Sequence, residues 1–100
     1  MTTLVIQIGN SDDKLSQEEW SKYGRRTHET IMTFAKEMHF SGGSYIFDPW
    51  QNACFVCEIA DKYLEDLYTA LIDIASRWGQ DSIAITRGET VFISPSKSNV

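Results

Sequence analysis

From Asn52 onward the side chains alternate in character. Ala53, Phe55, Cys57 and Ile59 fall on one side of an extended chain, and Asn52, Cys54, Val56 and Glu58 on the other. The first set is wholly apolar and belongs under a layer of helices. The second is mixed, which suits a face that is wet or covered by a partner. Asp48-Pro49 just upstream is a turn signal, because proline presets φ and cannot donate to a ladder. The pattern predicts that this stretch is the central strand of a single sheet.

The same two-residue period runs through residues 3–8, with Leu4, Ile6 and Ile8 on the core side. After the polar loop that follows, Ser16-Gln17-Glu18-Glu19 has the form of a capping box, and Leu15 and Trp20 are spaced as its hydrophobic staple. Trp20, Tyr23, Thr27, Ile31, Phe34, Ala35 and Met38 then recur every three or four residues, predicting a helix that Gly42-Gly43 ends. Residues 44–47 read as a short second strand, hairpinned with the central one. Asp61 is placed to cap a second helix whose stripe is Leu64, Leu67, Leu71, Ile74, Ala75 and Trp78, with Gly79 as its C′ residue. Residues 82–86 read as a fourth strand and residues 90–94 as a fifth, stopped by Pro95; residues 1–2 and 96–100 are expected to fray.

The order is βαββαβ plus one C-terminal strand, in one α+β domain spanning residues 1–100. Right-handed crossovers favour a ferredoxin-like antiparallel sheet of order 2-3-1-4 with both helices on one face, and strand five beside strand four. The opposite face would carry Thr3, Val5, Gln7, Cys54, Val56, Ala84, Thr86 and Phe92. Half of that surface is apolar, so a homodimer formed through it is expected.

Composition narrows the function classes. With 100 residues and 42% hydrophobic content, the chain is long enough for a core without staples. A net charge of −5 disfavours non-specific binding to nucleic acid or anionic membrane. No apolar run approaches the roughly 20 residues needed to cross a bilayer, and no basic segment precedes Leu4-Val5-Ile6, so a cytoplasmic protein is expected. Cys54 and Cys57 have C-x-x-C spacing, but on a strand an offset of three sends them to opposite faces, as free thiols rather than a bridge or a metal pair. His28 and His39 each begin an H-x-[ST] string. Both fall on the predicted first helix or its end, which argues against a two-histidine phosphoesterase; His39 there would suit the helix C-terminus. No phosphate-binding glycine loop or nucleophile elbow is present.

The predicted topology brings three connections to one end of the sheet. Their contents are Asn10-Ser11-Asp12-Asp13, Trp50-Gln51-Asn52 and Gln80-Asp81-Ser82. Turns are ordinarily polar, yet Gln51 and Gln80 are not turn formers and Trp50 is costly to leave in water. These residues, Asp81 among them, form a candidate ligand site: Trp50 to stack on a ring, Gln51, Asn52 and Gln80 to pair with its edges, Asp12 or Asp13 to take hydroxyls or a cation. The acidity would repel a bare phosphate unless a cation such as Mg²⁺ intervened. Lys22, Arg25 and Arg26 are the phosphate-binding candidates, although a solvated helix face explains them as well. No catalytic residue is indicated.

The strings Ile8-Gly9-Asn10-Ser11-Asp12-Asp13-Lys14-Leu15, Trp50-Gln51-Asn52-Ala53-Cys54 and Gln80-Asp81-Ser82-Ile83-Ala84 together resemble small uncharacterised proteins of actinobacteria and their phages. The resemblance implies a phage accessory protein acting in the host cytoplasm against host defence. On that basis the expected function is non-enzymatic capture of a small polar, nucleotide-like ligand, such as a defence signal. The alternatives are an acidic inhibitor of a host protein, in the manner of anti-CRISPR proteins, and a small metal-dependent hydrolase using Asp12, Asp13 or Asp81.

Overall fold

The computed structural model describes residues 1–10, 14–44 and 51–95. Leu4, Ile6 and Ile8 on β1 (Thr2–Gly9) are buried, and the antiparallel register sets them opposite Cys57, Phe55 and Ala53 of β3 (Asn52–Ile59). These two strands form the middle of a four-stranded antiparallel sheet of order β2-β3-β1-β4, with β2 (Glu37–Gly43) and β4 (Ala84–Gly88) at the edges. Two helices, α1 (Gln17–Phe34) and α2 (Leu64–Arg77), cover one face. Tyr23 and Ile31 of α1 and Leu67, Leu71 and Ile74 of α2 share a core with the buried side chains of β1 and β3. Each large apolar side chain buried there is worth about 1.5–3 kcal/mol. This is the ferredoxin-like βαββαβ arrangement. No helix among the described residues is long and apolar enough to cross a membrane.

The helix ends follow local chemistry. Ser16 Oγ accepts from the Glu19 N–H at 3.1 Å, and Glu19 Oε1 accepts from the Ser16 N–H at 2.9 Å, completing the capping box. The bond from the Ser16 N–H first, and the Ser16 hydroxyl second, hold the Glu19 carboxyl below its usual range. At the end of α2, Gly79 takes φ of 65°. Its N–H reaches Ser76 O, while the Gln80 N–H reaches Ala75 O, the paired bonds of a Schellman motif.

Several expectations need correction. α1 ends at Phe34, and the residues expected to complete it, through Gly42-Gly43, form β2 instead. The edge of β3 requires a hydrogen-bonding partner, and it takes residues 37–43: Gly42 lies opposite Cys54 and Gly43 opposite Ala53. Ser44 lies outside β2, and the rest of the expected strand at 44–47 lies outside the described residues. His39 is therefore on β2, at a bulge, and not at a helix C-terminus.

Residues 90–94 are not a strand beside β4. The Thr90 and Thr3 hydroxyls are hydrogen-bonded, and the Phe92 ring meets His39 edge-on at 6.3 Å, so the segment crosses the helix-free face from β1 toward β2. Asp61 does not cap α2. It opens a short 3-10 turn, Asp61–Tyr63, and accepts from the Thr2 hydroxyl at 2.6 Å; that bond, with the N-terminal ammonium, lowers its pKa. Thr2 is consequently a paired β1 residue opposite Ile59 rather than a frayed one. Strand four begins two residues later than its pattern indicated, at Ala84.

Candidate functional site

Asn10 is the residue that ties the loop end together. It follows β1 directly and is 2% exposed. Its Oδ1 accepts from the Leu15 N–H at 3.0 Å, and its Nδ2 donates to Leu15 O at 3.0 Å and to Gln51 Oε1 at 3.1 Å. The Asn10 N–H donates to Gln51 O at 2.8 Å, and Gln51 Nε2 donates on to Gln17 Oε1 at 2.8 Å. A buried amide must fill its hydrogen-bonding capacity inside the protein, and here the partners come from the entry to α1 and the entry to β3. Two of the three converging connections are thus locked together.

The third connection joins through charge. Lys14 Nζ lies 3.8 Å from Asp81 Oδ2 across an exposed gap. Gln80 turns its Nε2 back to Trp78 O at 3.2 Å, within its own turn. Asn52 is exposed, and its backbone pairs with Ser44. Ser11, Asp12, Asp13 and Trp50 lie outside the described residues. Lys22 pairs with Glu18 one helical turn away at 3.1 Å, while Arg25 and Arg26 are exposed on α1. Asn10 and Gln51 therefore use their amides on each other; among the described residues Asn52 is exposed apart from them, and the remaining polar groups at this end are those around Gln80 and Asp81.

Those groups edge a cleft of about 390 Å³ between α2 and β4. Tyr68, Leu71, Ile72 and Ala75 form one wall, Ile83 and Ile85 the other, and Ser76, Gln80, Asp81 and Ser82 stand at the polar side. The cleft exists because β4 is an edge strand, and the α2 residues from Tyr68 to Ser76 stand over Ile85 and the preceding Ile83. The outer flank of the helix is thereby left overhanging β4. Ile72 on that flank is 69% exposed, and the Tyr68 hydroxyl is buried without a hydrogen-bond partner among the described residues. An apolar slot with a few polar groups at one edge is the usual composition of a small-molecule site.

Sequence reasoning reached Gln80 and Asp81 but missed Tyr68, Ile72, Ser76, Ile83 and Ile85. The available signal was a second apolar pair on α2, Tyr68 and Ile72, displaced from the core stripe that contains Leu71 and Ala75.

The histidines divide between the two faces. His28 stacks on Phe55 under α1, with ring centroids 5.8 Å apart, and His39 lies on the helix-free face. The sheet separates them, which argues against a joint catalytic role on firmer ground than their spacing did. Cys57 is fully buried, and burial pushes its thiol pKa up; Cys54 is partly exposed on the other face, and both thiols are free.

No family model matches the chain, and no curated protein matches it. Among solved structures, it is similar to a crystal structure of At3g17210 from Arabidopsis thaliana, with a TM-score of 0.56 and 12% sequence identity. The likeness covers 93% of this chain and 97% of that one. At that identity it shows the fold alone.

Proposed function

We propose that the protein is a non-enzymatic binding protein whose α2–β4 cleft takes the ring or apolar body of a small ligand. Gln80, Asp81 and Ser82 then pair with the ligand's polar edge. The observation that carries this reading is the cleft itself, lined by six apolar or aromatic side chains and four polar ones. A nucleoside fits this chemistry, with its base between Tyr68 and Ile85 and its hydroxyls on the Asp81 carboxylate. The phosphates of a nucleotide would face the Asp81–Lys14 lip, where the Asp81 carboxylate offsets the Lys14 ammonium. Among the described lining residues none is a histidine, cysteine or lysine that would activate Ser76 or Ser82, and this favours capture over turnover. Sequestration of a host defence signal, the role the phage resemblance implies, would use the same cleft.

The test is mass spectrometry of small molecules released by heating protein purified from phage-challenged cells, compared with Ser76→Trp. Ser76 is exposed on the cleft lining, so the substitution projects into the slot from a position outside the core. Capture predicts an intact compound released by the wild type and absent from the variant. An identical or empty profile for both refutes it, and co-purification of a host protein instead favours an inhibitor.

A second reading concerns assembly, and the helix-free face supports it. Val5, Cys54, Val56 and the half-exposed Phe40 lie on that face, and Val91, Phe92 and Ile93 are strongly exposed beside it. A second copy would cover these side chains through a two-fold pairing of sheet faces. Light scattering should give twice the chain mass, reverting to one chain in Phe92→Glu; a monomeric wild type removes this reading.

A further inference from the structure

We propose that Glu37, His39 and Glu58 form a binding site for a divalent transition-metal ion on the helix-free face, separate from the α2–β4 cleft. The register sets Glu37 directly opposite Glu58 on neighbouring strands. Like charges in that relation destabilise a sheet. Among the described residues His39 lies beside them, its Nε2 3.8 Å from Glu58 Oε2, an ion pair only when the imidazole carries a second proton. That distance is beyond a hydrogen bond, yet one ligand atom from each of the three residues lies within 4.8 Å of the others. Ligands around one zinc ion sit about 2.0–2.2 Å from it and so roughly 3.3–3.5 Å from one another. Small side-chain rotations close the set.

Two features of the surroundings prepare this geometry. The register shifts between Met38 and Phe40, so Met38 still packs on the core while His39 and Phe40 both occupy the helix-free face. Bulges commonly re-aim side chains in this way beside functional sites. The Thr3 hydroxyl also donates to Glu58 Oε1 at 3.3 Å, leaving Oε2 toward His39. Outer hydrogen bonds of this kind orient metal-ligating carboxylates.

Two carboxylate oxygens and one imidazole nitrogen suit Zn²⁺, Mn²⁺ or Fe²⁺. Cu(I) would require sulfur ligands, and Mg²⁺ or Ca²⁺ an all-oxygen set. Three protein ligands leave room for water on the ion. The phenyl ring of Phe92 borders the site through its contact with His39.

Calorimetric titration with ZnCl₂ tests the assignment, using the wild type, His39→Ala, Glu37→Gln and Cys54→Ser. The last is a control, because the Cys54 thiol shares this face. Binding is counted per chain, so the result holds for a monomer or a dimer. The expected outcome is one Zn²⁺ per chain, bound at least tenfold more weakly by His39→Ala and Glu37→Gln and unchanged in Cys54→Ser. Should His39→Ala misfold by circular dichroism, the exposed Glu37→Gln decides alone. Absence of stoichiometric binding, equal affinity in the two ligand variants, or a loss confined to Cys54→Ser overturns the site.

Discussion

At the scale of single residues, Asn10 and Tyr23 are buried polar side chains with opposite consequences. Asn10 satisfies both the N–H and the C=O of Leu15, so Asn10→Ala leaves two buried backbone groups unpaired. The expected loss is about 2–4 kcal/mol in a denaturant titration, and a loss under 1 kcal/mol would refute the structural role. Tyr23 is fully buried between Trp20 and Trp78, with ring centroids at 6.1 and 5.8 Å, and its hydroxyl has no partner among the described residues. Tyr23→Phe keeps the ring contacts and removes an unsatisfied group, so it should be neutral or stabilising by about 1 kcal/mol. Burial pushes the Tyr23 pKa up to about 12. The folded state therefore holds the phenolic proton longer than the unfolded chain does, and stability falls as pH rises from about 10 to 12. Alkaline unfolding curves of wild type and Tyr23→Phe should diverge over that window. Parallel curves would contradict this account.

At the scale of elements, legibility followed how local the determining signal was. The start of α1 is written in four consecutive residues, and the capping box formed as they dictate. The end of α2 is likewise local, in Gly79. Gly79→Ala forces a Cβ into the left-handed region and should cost about 1–2 kcal/mol, measured by thermal melting; an unchanged melt would mean that the Schellman geometry is absent. The capping box has a pH signature of its own. With the Glu19 pKa depressed, its contribution is present above the ordinary value of 4.5 and is lost as pH falls through the depressed value. The end of α1 was not legible, because Phe34, Ala35 and Met38 continue the helical spacing while the competing partner, β3, is remote in sequence. Residues 90–94 failed for a related reason. An apolar run has strand character, but what it pairs with is set by Thr3 and His39, far along the chain.

At the scale of the molecule, two periodic strands and two amphipathic helices sufficed to predict the sheet order β2-β3-β1-β4. The convergence of three loops was legible too, since topology alone determines which connections share an end. What each amide does there was not. Gln51 looked available for a ligand, yet Asn10 and Gln17 engage both ends of its side chain. Nor was the cleft legible, because it depends on α2 overhanging an edge strand that it does not fully cover. The central claim is that this cleft binds a small molecule, and ¹⁵N-edited NMR with a fragment set that includes nucleosides tests it most directly. At least one fragment should shift the amides of Tyr68, Ile72, Ser76 and Gln80 through Ile85, with the effect lost in Ser76→Trp. Shifts confined to other surfaces, or none across the set, would contradict it.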